Sequence, residues 1–253
     1  MTLLEGKVAV ITGAGAGLGR EIAIAMAGEK AMVVVASRRE ENGRETVDLI
    51  TREGNQSVCI VTDVESEASV KGMVDKVMDE YDHIDILVNN AGIIVRKSLL
   101  DHTLEDWEKV LRVDLTGTFL CSKYVAPHMI VQKKGKIINI ASIAGLSGYT
   151  YPSYGASKAG VVNLTRGLAW ELGPHGINVN CVCPGLVRTA LNQHLVDSQE
   201  FQQAIRKIPQ RRLGFPREVA DTCIFLASDR ADYFNGAALT MDGGSISYFN
   251  FFE

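Results

Sequence analysis

The sequence has few of the features that mark nucleic-acid-binding, membrane-spanning or secreted proteins. Its 26 Lys and Arg are outnumbered by 30 Asp and Glu, so the net charge of −4 leaves no large positive surface for a nucleic acid. No apolar run reaches the roughly 18 residues needed to cross a bilayer, and segment 1–7 is too short for a secretion signal. These absences predict a cytoplasmic protein that binds neither nucleic acid nor membrane.

The five cysteines are odd in number and scattered along the chain, which argues against a disulfide framework. They stand in apolar segments, as is typical of reduced thiols in a core. Two of them alternate on one face of a predicted strand, but no second Cys or His pair accompanies them, so no metal site is predicted. The positions are Cys59, Cys121, Cys181, Cys183 and Cys223.

Short apolar runs rich in β-branched residues alternate along the chain with longer segments of helical periodicity. This alternation predicts an α/β fold, a doubly wound parallel sheet with helices on both faces. The 253 residues are expected to form one domain, 1–253. Strands are predicted at 8–11, 33–36, 57–62, 84–89, 136–141, 178–182 and 237–241, and helices at 17–27, 40–53, 65–81, 104–131, 154–173 and 216–226.

Two further segments are predicted to lack regular structure. Segment 133–136, which carries three lysines, is expected to be a solvated turn before the next strand. Segment 188–215 is the least regular part of the chain.

A glycine-rich loop follows the first apolar run and precedes a predicted helix. Gly13, Gly15, Gly17 and Gly19 alternate with other residues in this loop. Such a loop lets the backbone approach a bulky anion, and the free amides at the helix start attract phosphate. The spacing differs from the usual GxGxxG fingerprint, and no Gly-Lys-Ser/Thr follows as in a P-loop. The loop therefore predicts a site for the pyrophosphate of a dinucleotide.

Tyr154 and Lys158 stand four residues apart in a predicted helix, and Ser142 precedes Tyr154 by twelve residues. Side chains at a four-residue spacing share one face of a helix, so the phenol and the ammonium can meet. A free phenol has a pKa of about 10, and holding it ionised near neutrality requires about 4 kcal/mol. An ammonium about 4 Å away supplies energy of this order at an effective dielectric of about 20. In a cleft, the pair would be a proton donor and acceptor.

Five motifs, taken together in their order and spacing, resemble those of the short-chain dehydrogenase/reductase family over essentially the whole chain. The matching residues are Thr12, Gly13, Gly17 and Gly19, then Asn89, Asn90, Ala91 and Gly92, then Ser142, then Tyr154 and Lys158, and finally Pro184, Gly185 and Thr189. The resemblance implies a Rossmann fold, a nicotinamide cofactor and interconversion of a carbonyl and a secondary alcohol. It does not identify the substrate, because these motifs concern the cofactor and hydride transfer.

The resemblance also implies roles for individual residues. Tyr154 would exchange a proton with the substrate oxygen, Lys158 would hold the phenolate and bind the cofactor ribose, and Ser142 would donate a hydrogen bond to the alkoxide. The residues predicted to bind the cofactor are Gly13, Gly15, Gly17, Leu18, Gly19, Ser37, Arg38, Asp63, Val64, Asn90, Ala91, Gly92, Tyr154, Lys158, Pro184, Gly185, Val187 and Thr189.

Asp114 departs from the family pattern, because members usually carry asparagine at this position. That asparagine is held to anchor a water that relays protons to the active lysine. If its backbone carbonyl binds the water, aspartate can do the same. If a side-chain amide must donate a hydrogen bond, aspartate cannot, and its charge would add to the field around Lys158. We expect the relay to work and place Asp114 among the predicted catalytic residues.

The end of the second predicted strand bears on the choice of cofactor. A carboxylate there binds the ribose 2′-hydroxyl of NAD, whereas the 2′-phosphate of NADP needs a cation and no negative neighbour. Ser37 stands where the carboxylate is expected, and the planar guanidinium of Arg38 is suited to phosphate. The loop lacks, at Ala16, the basic residue of many NADP enzymes. NADP(H) is predicted over NAD(H), with Asp63 at the adenine edge.

The substrate is less well defined by the sequence. The segment at about 186–215 resembles the family's variable substrate lid. Arg96 and Lys97 either attract an acidic group or are simply solvated. The residues predicted to line the remaining wall, which suit a small and moderately apolar carbonyl compound, are Ile94, Val95, Leu146, Tyr149 and Tyr151.

Two other functions stay open at this point. One is a 3-oxoacyl-[acyl-carrier-protein] reductase, which needs a basic docking surface; Trp170 stands on a helix where an arginine of that surface is expected. The other is a non-catalytic nucleotide-binding regulator. The tail 248–252 carries four aromatics in five residues and would be a liability if exposed. We expect it to pack into a neighbouring subunit of the family's usual homotetramer.

Overall fold

The computed structural model describes residues 2–189 and 198–247, and within these ranges seven strands form one sheet. The strands are β1 (Val8–Thr12), β2 (Met32–Ser37), β3 (Ser57–Val61), β4 (Ile86–Asn89), β5 (Gly135–Ile140), β6 (Ile177–Pro184) and β7 (Ala238–Met241). Their order is β3-β2-β1-β4-β5-β6-β7, and every neighbouring pair is parallel. The order reverses between β1 and β4, where a doubly wound sheet opens a crevice at the carboxyl ends of its strands.

Helices connect successive strands and cover both faces of this sheet. They are α1 (Gly17–Gly28), α2 (Glu40–Arg52), α3 (Glu67–Tyr81), α4 (Leu104–Leu111), α5 (Gly117–Gln132), α6 (Pro152–Leu172), α7 (Gln199–Lys207) and α8 (Pro216–Ala227). None of the helices in the described ranges is both long and apolar enough to cross a membrane. The doubly wound parallel sheet predicted from the sequence is confirmed.

Strand β1 shows why the apolar runs fold as strands with two buried faces. Ala9 and Ile11 pack into the cluster that contains α1 and α8, whereas Val8 and Val10 pack into the cluster that contains α3 and α5. Because successive side chains of a strand point to opposite faces, only a continuous apolar run can fill both clusters. Because β1 is packed on both faces, it holds the glycine loop at a fixed place at the carboxyl end of the strands.

The helix predicted over 104–131 is interrupted. Helix α4 passes into one π-helical turn, Arg112–Thr116, before α5 begins. Such turns add a residue to a helix and are frequent at functional sites. Asp114 lies in this turn and is fully buried.

The prediction of irregular structure over 188–215 is wrong in part, because α7 lies within this segment. Ser198 caps the helix by accepting a hydrogen bond from the Phe201 amide at 3.2 Å. Most residues of α7 are polar, so its sequence lacks the apolar periodicity by which the other helices are found. Residues 190–197 of the predicted lid and the aromatic tail 248–252 lie outside the described residues.

The prediction of a solvated turn over 133–136 is wrong for its last two residues, because β5 begins at Gly135 and both are buried. Lys136 belongs to β5 and is only 4% exposed. Its Nζ lies 2.7 Å from Asn178 Oδ1 and 2.6 Å from the Asp232 carboxylate. A buried ammonium needs such partners, and both are far away in the sequence, so no local pattern reveals them.

Candidate functional site

The glycine loop between β1 and α1 lies in close contact with the segment that follows β4. Gly13 has a φ of +66°, and a Cβ on it would lie 2.8 Å from the Cα of Ala91. A Cβ on Gly19 would lie 2.5 Å from the carbonyl oxygen of Gly13. Helix α1 begins without a side-chain cap and has no acidic residue in its first turn. Its first amides are therefore available to a phosphate group, as the pyrophosphate of a dinucleotide requires.

Polar groups after β4 hold the loop in this position. The Asn90 side chain donates to the carbonyl oxygens of Thr12 at 2.9 Å and Gly13 at 3.3 Å. The Thr12 hydroxyl accepts from the amides of Asn90 at 3.0 Å and Ala91 at 3.1 Å. Two of the predicted motifs, which are 77 residues apart in the sequence from Gly13 to Asn90, are thus adjacent in the fold and form one wall of the crevice.

A cavity of about 230 Å³ opens beside this wall. Ser37 lies at its edge, and its hydroxyl donates to the carbonyl oxygen of Arg39 at 2.9 Å. The exposed guanidinium of Arg38 lies 3.9 Å from Glu65, which also pairs with Arg112 at 3.4 Å. Arg112 is also paired with Glu108 at 3.4 Å, so Arg38 does not have sole use of Glu65 but Arg112 does not depend on Glu65 alone. The lining includes the predicted residues Gly13, Gly15, Ser37, Arg38, Asp63, Val64, Ala91 and Gly92.

Lys158 lies at the centre of the predicted catalytic residues and is only 4% exposed. Its Nζ donates to the carbonyl oxygen of Ile140 at 3.1 Å and lies 3.3 Å from Asp114 Oδ2. The same Nζ lies 5.6 Å from the centroid of the Tyr154 ring. An ammonium has three donors, so a third remains for an oxygen of the cofactor or of Tyr154.

Ser142 follows the end of β5 and caps the short 3-10 turn Ile143–Gly145. Its Oγ accepts from the Ala144 amide at 3.1 Å and lies 3.5 Å from the Pro184 carbonyl oxygen. The turn presses on α6, because a Cβ on Gly145 would lie 2.5 Å from the carbonyl carbon of Lys158. The long bond to Pro184 is weak, so the hydroxyl proton is free to turn to a substrate oxygen.

Asp114 is held by several hydrogen bonds in its π-helical turn. Its Oδ1 accepts from the Ile93 amide at 2.8 Å, and its Oδ2 faces both Lys158 and the Ser157 hydroxyl, the latter at 3.4 Å. Its backbone carbonyl accepts from the Thr118 hydroxyl at 2.7 Å. Burial opposes the charge of Lys158, but Asp114 and then Tyr154 outweigh it and raise the pKa of Lys158 above its ordinary value.

Three tyrosines cluster at the mouth of the site. The Tyr149 ring lies 5.5 Å from that of Tyr151 and 5.8 Å from that of Tyr154. Burial, followed by the neighbouring phenols, raises the pKa of Tyr149 despite the opposing charge of Arg96. Within the described part of the chain, Tyr154 alone of the three has an ammonium over its ring. Tyr154 is therefore the tyrosine of this cluster that lies beside the buried ammonium.

The remaining predicted residues lie around the same crevice or at the edge of the lid. Gly92 lines the cavity and also adjoins the predicted catalytic residues, since a Cβ on it would lie 3.3 Å from Lys158 Nζ and 3.4 Å from Asp114. Val187 pairs with Gly214 across an isolated bridge beside the gap in the described residues. Gly17 and Leu18 begin α1. Pro184 ends β6, and Gly185 and Thr189 follow that strand.

The sequence did not reveal several residues that shape the site. Glu65, just before α3, contacts both Arg38 and Arg112, and Arg112 lies in the π-helical turn, far away in the sequence. Ser157 and the Ile93 amide hold Asp114 in place. In the sequence, Ser157 is notable only for standing next to Lys158. A serine in that place has no distinctive pattern that would reveal its contact with Asp114.

A family model described as Enoyl-(Acyl carrier protein) reductase matches residues 13–245. The (2S)-[(R)-hydroxy(phenyl)methyl]succinyl-CoA dehydrogenase subunit BbsD of Thauera aromatica is 40% identical over 241 residues, covering 95% of this chain and 97% of its own. The 3-oxoacyl-[acyl-carrier-protein] reductase of Synechocystis sp. is 38% identical over 251 residues, covering 98% and 100%. A solved gluconate 5-dehydrogenase from Burkholderia cenocepacia, in complex with NADP and tartrate, is 37% identical with a TM-score of 0.93, and 98% of each chain is covered.

These similarities confirm the family expected from the motifs. The named relatives are dehydrogenases and reductases that act on alcohol or carbonyl groups, so the protein is an enzyme of that kind and uses a nicotinamide cofactor. The chain belongs to the short-chain dehydrogenase/reductase family.

Proposed function

We propose that the protein is an NADP(H)-dependent oxidoreductase that interconverts a carbonyl and a secondary alcohol on a small, moderately apolar substrate. The observation that carries this proposal is the buried ammonium of Lys158, 5.6 Å from the Tyr154 ring centroid. It lies at the carboxyl edge of the sheet, beside the turn that carries Ser142. A buried ammonium beside a phenol is an arrangement suited to proton transfer by that phenol.

The bound nicotinamide supplies or accepts the hydride. In reduction, Tyr154 donates its phenolic proton to the carbonyl oxygen, and in oxidation its phenolate takes the proton back. Lys158 stabilises the phenolate by charge and offers its third N–H to a ribose hydroxyl. Ser142 donates its hydroxyl proton to the oxygen of the substrate as negative charge develops there. The buried carboxylate of Asp114 holds Lys158 in place.

The raised pKa of Lys158 sets the direction of the pH dependence. A lysine with a raised pKa keeps its charge at neutral pH and loses it only above its ordinary range. Alcohol oxidation, whose base is the phenolate, is therefore expected to rise with pH while Lys158 remains charged. Carbonyl reduction falls over the same interval because it requires the protonated phenol.

The preference for NADP(H) is supported by the surroundings of Arg38. Its guanidinium is exposed at the cavity edge, and Ser37 puts no carboxylate at the end of β2. Glu65 does lie 3.9 Å from Arg38, but Arg112 shares that carboxylate. A 2′-phosphate at this edge would lie beside two arginines, since Arg39 lines the cavity together with Arg38. The solved gluconate 5-dehydrogenase was obtained with NADP, which agrees with this choice.

Arg38→Met is expected to raise the KM for NADPH at least about tenfold, because a charge-assisted hydrogen bond to the phosphate contributes roughly 1.5–3 kcal/mol. The KM for NADH should change little, since NADH has no 2′-phosphate. Steady-state kinetics with both cofactors provide the measurement. The control is Arg44→Met, which removes an exposed arginine paired with Glu40 on α2. An unchanged KM for NADPH in Arg38→Met contradicts the assigned role.

The residues predicted to line the wall of the site are mainly apolar, which supports an apolar substrate. Two cations, Arg96 and Lys97, directly follow Val95 in the sequence. Lys97 is paired with Asp106 at 2.6 Å. Arg96 has no ion pair among the described residues, and its charge is felt by the phenol of Tyr149. The two relatives that act on acids or thioesters, the gluconate enzyme and the acyl-carrier-protein reductase, keep those substrate classes in consideration.

A substrate panel tests the proposal. Neutral ketones, keto derivatives of sugar acids and 3-oxoacyl thioesters are each mixed with the enzyme and NADPH, and loss of NADPH absorbance is followed. Turnover of neutral ketones is the expected result. Activity confined to acyl thioesters would favour the 3-oxoacyl-[acyl-carrier-protein] reductase, to which the Synechocystis relative points. Nucleotide binding without turnover of any class would favour the non-catalytic regulator.

We also propose that the protein is a homotetramer. Trp170, on α6, is 87% exposed, which is unusual for so large an apolar side chain. Small or short exposed residues precede it on the same helix at intervals of three or four, at Ala156, Ala159, Asn163 and Gly167. Such a face lets a helix of a second subunit approach closely.

Light scattering should therefore give the mass of four chains. Trp170→Asp is expected to lower this mass, because it places a charge in the proposed contact. An exposed substitution elsewhere, Tyr233→Asp, is the control, since Tyr233 is also fully exposed but lies outside α6. A monomeric mass for the parent protein contradicts the proposal.

A further inference from the structure

The ammonium of Lys158 lies close to two acidic groups. Asp114 Oδ2 is 3.3 Å from Nζ, and the Tyr154 ring centroid is 5.6 Å from Nζ. Both Asp114 and Lys158 are almost completely buried. Water screens a buried charge pair only weakly. The carboxylate is therefore close enough to affect the ionisation of the phenol.

Asp114 is also fixed in place. The Ile93 amide donates to Oδ1 at 2.8 Å, and the Ser157 hydroxyl lies 3.4 Å from Oδ2. Ser157 is itself held by the Tyr154 carbonyl oxygen at 2.8 Å. The hydrogen bond from the Ile93 amide favours the ionised carboxylate. The negative charge of the Asp114 carboxylate is thus held at a fixed position in the site.

The backbone of Asp114 has another partner. Its carbonyl oxygen accepts a short hydrogen bond of 2.7 Å from Thr118, one turn along α5. The features that set this position apart are therefore the carboxylate and its ion pair with Lys158. An asparagine has the same shape but brings no charge.

We propose that Asp114 is a charge-setting residue whose carboxylate partly neutralises Lys158 and so keeps Tyr154 protonated to higher pH than an asparagine would. This inference rests on the proposed function, in which Tyr154 is the proton donor. The carboxylate of Asp114 thereby widens the pH range over which the phenol can donate a proton to a carbonyl oxygen. The residue acts through Lys158 and does not itself touch the reacting atoms.

The size of the effect follows from the distances. A unit charge within about 10 Å of an ionising group, at an effective dielectric of about 20, moves its titration by roughly one pH unit. Burial and the fixed geometry of the carboxylate favour an effect of at least this size.

Other groups around the phenol do not provide the same charge. Burial, followed by the neighbouring phenols, raises the pKa of Tyr149. The pKa of the Cys183 thiol, on β6, is raised mainly by the hydrogen bond with Cys181, followed by burial. Arg96 lies near Tyr149 and adds positive charge from the loop after β4. Among the described residues around Lys158, Asp114 is thus the one that brings a fixed negative charge.

The test is a titration of Tyr154 in the protein without cofactor or substrate. Tyrosines carrying carbon-13 at Cζ report ionisation by NMR, and the Tyr154 signal is identified as the one lost in Tyr154→Phe. Asp114→Asn is expected to move its midpoint about one pH unit lower. Thr118→Val is the matched control, because it removes the hydrogen bond to the Asp114 backbone without changing charge. Its midpoint should equal that of the parent.

A midpoint in Asp114→Asn equal to or above that of the parent overturns the proposal, and so does an equal shift in Thr118→Val. Thermal unfolding checks that each variant is folded. Should Asp114→Asn not fold, Asp114→Ser removes the same charge and keeps an oxygen for the Ile93 amide. The titration needs neither substrate nor turnover, so its failure is distinct from a failure of the substrate panel.

Discussion

Replacing Tyr154 with phenylalanine is expected to lower kcat by about 100-fold to 10,000-fold, the usual contribution of a general acid or base. The change removes only the phenolic oxygen. The ring still packs against Tyr149, whose ring centroid lies 5.8 Å away. The glycine loop and the Arg38 cavity are untouched, so the Kd for NADPH should stay within about threefold of the parent. Stopped-flow or steady-state turnover and fluorescence titration measure the two quantities.

Tyr124→Phe is a demanding control for this prediction. Tyr124 also has an ammonium over its ring, that of Lys123 at 5.1 Å, but it lies on the surface and donates to Glu67 at 2.6 Å. If proximity of a lysine to a tyrosine were enough for activity, this variant would be impaired as well. We expect its kcat to be unchanged. Turnover of Tyr154→Phe within tenfold of the parent would remove Tyr154 from the mechanism.

The sequence predicts the sheet well because its strands are buried on both faces. The run 8–11 must be apolar throughout to fill two clusters, and that requirement is visible without any structure. The edges of these elements are also close to their predicted positions. The interruption of the helix predicted over 104–131 was not visible, because one extra residue in a turn hardly alters the apolar periodicity.

The site is predicted less completely, and the reason lies in the distances along the chain. Tyr154 and Lys158 share a helix face, so their spacing alone shows that they can meet. Asp114 lies on another element, and its ion pair with Lys158 exists only because the π-helical turn packs on α6. The sequence shows that Asp114 carries a charge where asparagine is usual. Its contact with Lys158 is visible only in the structure. The same holds for Lys136 and Asp232, which meet across the edge of the sheet.

Gly19→Ala is expected to weaken binding of NADPH at least about tenfold. The new Cβ would lie 2.5 Å from the Gly13 carbonyl oxygen, well inside van der Waals contact. That oxygen is not free to move, because the Asn90 side chain binds it and also binds the Thr12 carbonyl oxygen at 2.9 Å. Overpacking of this kind costs roughly 1–3 kcal/mol, and the displaced loop would no longer present its amides to the pyrophosphate.

Gly72→Ala separates this effect from a general response to losing a glycine. Gly72 also lies in a helix, α3, but a Cβ there would meet nothing within 4 Å. Alanine favours a helix over glycine by roughly 0.5–1 kcal/mol, so this variant should unfold at a slightly higher temperature and bind NADPH as the parent does. Fluorescence titration and thermal unfolding of both variants give the comparison. If Gly19→Ala bound NADPH with parental affinity, the loop could not be the pyrophosphate site, because a site built on the close approach of Gly13 and Gly19 cannot accept a methyl group between them.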